Sequence, residues 1–443
     1  MDIRDLIVTP FAIVAVLALA YMLRSRLTNS VTIRYYYPVL ILKLFGSIGL
    51  GLLYQYYYNG GDTYNFHTHG SRIIWEAFGE SPVLGVKLLF STGEYIPGAV
   101  KYTDRILFYT DPSSFFVVQV AAVFDLLTFS TYSATAVFFA FFSFIGSWLL
   151  FLTFYRLMPQ VHGWVAAATL FVPSVIFWGS GLLKDTLTLG AIGILTWASY
   201  HLFIERKTSV RAAVLLILAL WIIFSVKKYI LLCFLPALLF WIYAKRFQRI
   251  RLAMLKILLI PFISAFLIAS GYYAVVLIGE DDPRYSLDKL AVTAQITAYD
   301  IGFYTGKDAG STYSLGELDG TFASLLSKFP QAVNVSLFRP YLWEVKNPLM
   351  LLSAFESAAF LFVTLWVILR SFKHLPKALS NPTVLFCLIF SITFAFAVGV
   401  STFNFGTLAR YKIPLLPFYL LALIQIWEIS NKERNKGVLE LTE

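Results

Sequence analysis

Charge is the scarcest thing in this sequence. Asp, Glu, Lys and Arg make up 14% of its 443 residues, where soluble domains carry about a quarter. Disorder needs the opposite balance and is excluded, as is a string of ordinary soluble domains. Cysteine is scarcer still. Cys233 and Cys387 both lie inside apolar runs, which leaves no disulfide framework and no metal-site spacing. Internal repeats and low-complexity segments are absent. What fills the space is apolar: 58% of the residues are hydrophobic. At about 20 residues per span, the chain has room for ten or so membrane spans and two sizeable loops.

The first apolar run, Leu6 to Met22, follows Asp2, Arg4 and Asp5 and precedes Arg24 and Arg26. A signal peptide would carry its positive charge in front and end in a small-residue cleavage site. The run therefore reads as a retained helix with its N-terminus outside. Further spans are expected at about 37–57, with Lys43 snorkelling toward the Arg34 end, then at 131–155, 164–183, 186–204, 257–279, 348–369, 383–402 and 413–427. Residues 115–130 read as an interfacial or re-entrant helix, and 212–226 and 229–244 as short segments whose full crossing stays open. An amphipathic helix is expected near 68–78. The expected fold is an all-α polytopic membrane protein of about 10–11 transmembrane helices. Residues 1–443 form one transmembrane domain with extracytoplasmic loops at 58–114 and 280–346.

Charge asymmetry orients this layout. It puts nineteen of the 35 basic residues and five of the 25 acidic ones on the cytoplasmic side, a surplus of fourteen positive charges. That surplus needs only the positive-inside rule, so the net charge of +10 does not call for nucleic acid. Both long loops fall outside.

Several residues on that outer side could carry chemistry. Asp62 follows Gly60 and Gly61 directly after an aromatic-rich span end; its carboxylate could serve as a general base or cap the next helix. His67 and His69 lie two apart and cannot share a helix face. With Asp62 they could hold a divalent metal, or be ordinary loop histidines. Lys184 and Asp185 follow Pro173 and a run of small residues; the lysine could bind a lipid phosphate, or the pair could punctuate a turn. Lys227 and Lys228 breach the positive-inside rule, which suggests an anionic headgroup or a misplaced hairpin. Arg410, Tyr411 and Lys412 lie between two spans, where arginine forks suit phosphate oxygens and rim charges also snorkel. Arg339 and Glu344 could pair with each other or line a sugar cleft, with Tyr341 and Trp343 as stacking surfaces. Asp125 and Glu356 sit within apolar runs, where acids are expensive and functional by default.

These pieces resemble the GT-C class of membrane glycosyltransferases. The matching strings are Gly61–Asp62, "PSVIFWGSGLLKD" at 173–185, "FRPYLWE" at 338–344 and "ARYKIPLLPF" at 409–418. Asp62 follows the second span, whereas the class often has its acid after the first. The resemblance implies a polyprenyl-phosphate-linked sugar donor and a glycan, lipid or protein acceptor at the outer face of a bacterial cytoplasmic membrane. Asp62 would take the acceptor proton, and the anomeric centre would invert. Lys184 and Arg410, with Lys227, Lys228 and Arg339, would stabilise the departing phosphate, and the second loop would choose the acceptor. A polymerase or ligase of lipid-linked glycans would use a similar basic face. A transporter or flippase would instead favour charges near the midplane.

Overall fold

The computed structural model describes residues 3–248, 286, 289–306 and 311–440. Among them every regular element is a helix, and one isolated antiparallel bridge joins Thr312 to Asn404. Seven helices are long and apolar enough to cross a membrane: Ile3–Leu27, Ile33–Tyr56, Tyr132–Leu157, Lys184–Ile204, Lys228–Gln248, Pro348–Leu379 and Pro382–Thr402. An eighth candidate is the pair Phe405–Tyr411 and Leu416–Asn435, bent by 65°. The protein is thus an all-α polytopic membrane protein. The expected span at 257–279 lies outside the described residues.

The chain packs as two compact units. The first comprises Met1–Leu152, Pro173–Ala198 and Val210–Lys227, and the second Thr153–Val172, Ser199–Ser209 and Lys228–Glu443.

The first unit contains α1 (Ile3–Leu27), α2 (Ile33–Tyr56), α3 (Asp62–Phe66), a π-helical turn at His67–Ser71, α4 (Arg72–Glu80), α5 (Pro82–Leu89), α6 (Val100–Thr103), α7 (Pro112–Thr128) and most of α8 (Tyr132–Leu157). The loop expected at 58–114 is therefore largely helical, and the helix expected near 68–78 begins as the π turn. Tyr36 on α2 anchors three helices. Its hydroxyl donates to the Ala20 carbonyl at 3.0 Å, and its ring meets the edges of Phe144 and Trp148. Trp148 in turn donates to the Leu27 carbonyl at 2.9 Å.

Two readings of this region are corrected. The span expected at 164–183 is broken. It divides into α9 (His162–Leu170), which belongs to the second unit, and α10 (Pro173–Phe177), because Pro173 has no N–H to continue a helix. Nor does Lys43 snorkel. It is 1% exposed, and its ammonium donates to Ser143 Oγ at 2.9 Å, the Gly179 carbonyl at 3.0 Å and the Val175 carbonyl at 3.5 Å. It pins the irregular stretch after α10 to α2 through neutral dipoles. That stretch leads into α11 (Lys184–Ser199). Helix α11 crosses α8 with Gly190 and Gly193 against Gly146, so closely that a Cβ at any of the three would fall on neighbouring backbone or side-chain atoms. With α12 (Val210–Val226), 17 residues long, the unit is complete.

The second unit holds α9 and then α13 (Lys228–Gln248), α14 (Leu290–Gly306), α15 (Phe322–Ser327), α16 (Phe329–Phe338), α17 (Pro348–Ser371), α18 (Leu375–Leu379), α19 (Pro382–Thr402), α20 (Phe405–Tyr411) and α21 (Leu416–Glu440). Helix α13, expected to be short, has 21 residues and meets the criteria for a span. The core is aromatic. Trp241 stacks on Phe386 at 4.5 Å, and Phe234 and Phe418 turn edges to Phe390. Such rings bury large area in defined geometry. In this unit Glu205 meets Arg156, His201 and Lys207, and Lys377 meets Glu433.

Candidate functional site

In the first unit Asp62, Asp111, Asp185 and Lys227 act on Lys184. The Gly60–Gly61 turn runs at φ +123° and +115°, values that favour glycine, and α3 begins at Asp62. A carboxylate in a first turn suits the positive end of the helix dipole. Lys184, the first residue of α11, reaches α7 instead. Its ammonium donates to Ser113 Oγ at 2.8 Å and lies 3.7 Å from Asp111 Oδ2. Asp62, Asp185 and Lys227 also act on its charge. Asp111 caps α7, accepting from the Ser113 amide at 3.3 Å and from the hydroxyls of Ser113 and Ser114. Burial opposes ionisation of Asp111, but Lys184 and the two serines outweigh it and hold its carboxyl below the usual range.

Asp185 and Lys227 form a separate ion pair, 3% and 7% exposed. The pairing sets a buried carboxylate directly against the Lys227 charge. The described contacts of this cluster bring the carboxylates of Asp62, Asp111 and Asp185 together with the ammoniums of Lys184 and Lys227. Lys228 opens α13 in the second unit.

The two histidines part ways. His69 is exposed, while His67 is fully buried and lies 3.5 Å from Asp125. Among the described residues no three His, Cys, Asp or Glu side chains are grouped to hold a metal ion. The proposed Asp62–His67–His69 ligand set is therefore not assembled.

In the second unit two motif strings meet. Arg339 makes a forked pair with Glu344, its Nε donating to Oε1 at 3.1 Å and to Oε2 at 3.0 Å. Glu344 also accepts from the Tyr341 amide at 2.8 Å. The bonds from Glu344 hold the Arg339 guanidinium above its ordinary value. Burial would raise the Glu344 carboxyl, but the bonds from Arg339 and Tyr341 keep it below the usual range. The guanidinium also lies over the rings of Phe405, Tyr341 and Tyr313, at 5.4, 5.8 and 6.0 Å. Tyr341 stacks on Trp343 at 4.7 Å, and Trp343 is 81% exposed. Lys412 is 3% exposed; its ammonium lies 3.4 Å from Ser357 Oγ and feels the charge of Glu356. Ser357 in turn donates to the Arg339 carbonyl at 3.0 Å. Arg410 sits over the ring of Tyr411 at 5.4 Å. "FRPYLWE" and "ARYK" thus share one cluster, as Gly61–Asp62 and Lys184–Asp185 share another.

Sequence reasoning missed Asp111, Ser113, Tyr313 and Ser357. Asp111 did leave a signal: Asp-Pro-Ser-Ser is an N-cap followed by proline at the first helical position. Tyr313 and Ser357 left none, because their roles depend on which segments pack together.

The chain matches no protein-family model, no curated protein and no solved structure.

Proposed function

We propose that the protein is a glycosyltransferase of the GT-C kind. It would move a sugar from a polyprenyl-phosphate-linked donor to an acceptor hydroxyl at the outer face of a bacterial cytoplasmic membrane. The observation that carries this reading is the cluster in the first unit in which the Lys184 ammonium meets Ser113 and Asp111 and lies within electrostatic reach of Asp62 at the start of α3. It joins a carboxylate suited to take a proton with a cation suited to receive a phosphate.

Asp62 accepts the proton of the acceptor hydroxyl. The hydroxyl oxygen bonds to the anomeric carbon from the face opposite the phosphate. The carbon–oxygen bond to phosphate breaks, its electron pair stays on the leaving oxygen, and the centre inverts. Lys184 turns from Ser113 and Asp111 to that oxygen, where a fixed cation lowers the barrier. The second unit has a cluster of its own, Arg339, Glu344, Tyr341 and Trp343, with planar and charged groups of the kind sugars bind.

Wild-type protein, Asp62→Asn and Lys184→Met in nanodiscs should be compared with monophosphate- and diphosphate-linked sugar donors. The wild type should transfer from monophosphate donors, and Asp62→Asn should lose about 10²–10⁴-fold in turnover. Equal activity of Asp62→Asn removes Asp62 as the base. Transfer from diphosphate donors alone favours the polymerase or ligase. Movement of a lipid-linked glycan between leaflets without transfer favours a transporter.

A further inference from the structure

Helix α7 has no charge on its outward side. The one charged residue within it, Asp125, is fully buried. Val123, Leu126 and Leu127 share one face by their three- and four-residue spacing, and all three are exposed. A helix that is apolar all round needs a cover on every side. The described residues of the first unit leave this side of α7 open.

Contacts at the two ends of α7 fix how it lies. At its start, Asp111 and Ser113 meet the ammonium of Lys184, the first residue of α11. Asp62, which opens α3 just after α2 ends, acts on the same ammonium. At the other end the chain turns through Phe129 and Ser130, both left-handed, into α8. There Tyr132 shares a 2.6 Å bond with Thr63 of α3, and the Ser133 amide donates to Asp5 of α1 at 2.8 Å. Neighbouring residues of α3 therefore reach both ends of α7, and a hydrocarbon core about 30 Å thick could not lie between those ends. Helix α7 has 17 residues, about 25 Å of length. It runs along the face where α1, α8 and α11 begin and does not cross.

Helix α5 extends the same surface. Gln119 lies one turn before Val123 on α7, and its amide donates to the Ser91 carbonyl at 2.8 Å, which holds the end of α5 against α7. Gly85 and Leu88 turn inward, where a Cβ on Gly85 would strike the ring of Phe78 on α4. Val83, Val86 and Phe90 stay outside, Phe90 at 77% exposure. The backbone just beyond Phe90 is pinned again, because the Tyr109 hydroxyl donates to the Glu94 carbonyl at 2.6 Å. Lys87 is the one charge in α5. Charges gather instead on α4 and around α6, where Glu76 pairs with Arg105 at 2.8 Å and Glu80 pairs with Lys101.

We propose that α5 and α7 form an in-plane membrane surface, with Val83, Val86, Phe90, Val123, Leu126 and Leu127 set among the acyl chains of the leaflet on the Lys184 side. Continuity with a span identifies the occupant as lipid. Helix α1 begins beside the end of α7, and Leu6 and Ile7 in its first turns are exposed. Lipid that covers α1 therefore continues over α7. Interfacial helices bury such an apolar face at the boundary of headgroups and chains. The inference does not rest on the transfer reading. It places lipid headgroups beside Asp111 and Ser113, whatever chemistry Lys184 serves.

The test is spin-label accessibility of the full-length protein in phosphatidylcholine nanodiscs. Single cysteines enter a background lacking Cys233 and Cys387: Phe90→Cys and Leu127→Cys on the surface, Val14→Cys midway along α1, and Lys101→Cys on α6. Labels at 90 and 127 should meet oxygen in preference to a water-soluble nickel complex, at a depth of about 5–10 Å below the headgroup boundary. The label at 14 should lie deeper, and the label at 101 should favour nickel. Nickel access at 90 or 127 equal to that at 101 overturns the proposal, because the surface then faces water. A label at 127 as deep as the one at 14 also overturns it, because α7 then crosses. So does protection of 90 and 127 from both reagents, which would mean that protein covers them. If a variant does not fold, the wild type decides with a phosphatidylcholine carrying a diazirine beside its glycerol. Peptides from 82–90 and 119–129 should take the label on illumination, and their failure to do so overturns the proposal.

Discussion

At the scale of single residues, the structure turns isolated charges into paired ones. Glu344 shows what this predicts. Its carboxyl lies below the usual range because Arg339 and the Tyr341 amide bond to it. A carboxyl with a lowered folded value adds stability that is complete above the unfolded value of about 4.3 and is lost as pH falls through the folded one. Glu344→Gln should therefore cost roughly 1.5–3 kcal/mol at neutral pH. In acid the difference should shrink toward zero. Thermal unfolding of both proteins at pH 7 and at pH 3 checks this; a gap of equal size at both would mean the ion pair does not set it. The individual candidates were legible because Asp62, Lys184, Arg339 and Lys412 stand out against so little charge. Their partners were not. Nothing in the sequence says that Lys227 meets Asp185 or that Lys412 approaches Ser357, since each contact joins segments 40 or more residues apart.

At the scale of elements, long apolar runs were readable and breaks were not. A run of 20 apolar residues looks the same whether it crosses a membrane or bends within it. Pro173 divides one run into α9 and α10, and a 65° bend separates Phe405–Tyr411 from Leu416–Asn435. Lys43 belongs to this scale, because its three bonds hold the stretch between α10 and α11 rather than any ligand. Lys43→Met keeps the volume and removes the donors, leaving the Gly179 carbonyl and the Ser143 hydroxyl without that partner at about 1–3 kcal/mol each. Backbone hydrogen exchange should rise across 173–183 and stay unchanged in α13. Lys43→Arg retains donors and should behave between the two. Unchanged exchange in the methionine variant would show that helix packing alone fixes the stretch. The crossing of α8 and α11 was equally hidden, because isolated glycines in apolar runs carry no mark of the partner helix.

At the scale of the whole molecule, residues that the charge layout puts on one membrane face meet one another within each unit. The charge layout puts Arg156, from one connection, and Glu205 and Lys207, from another, on one membrane face, and in the second unit they touch. Lys377 and Glu433 were assigned likewise and also touch. Asp62, Asp111 and Lys184 fall on the opposite assignment and gather in the first unit. Contacts group the residues by face but do not say which face meets which compartment; the positive-inside rule supplies that step. The prediction is that Gly79 and Ser314 are extracytoplasmic and Ser380 is cytoplasmic. All three are exposed, and a side chain at Gly79 meets open space. Single cysteines at these positions, in a background lacking Cys233 and Cys387, should report it in intact cells. A membrane-impermeant maleimide should label Gly79→Cys and Ser314→Cys, and should label Ser380→Cys only after the membrane is opened. Labelling of Ser380→Cys in sealed cells, with protection of the other two, would invert the protein. It would put Asp62 and Lys184 in the cytoplasm, where an outer-leaflet donor could not reach them, and the proposed transfer would fail whatever the purified enzyme does.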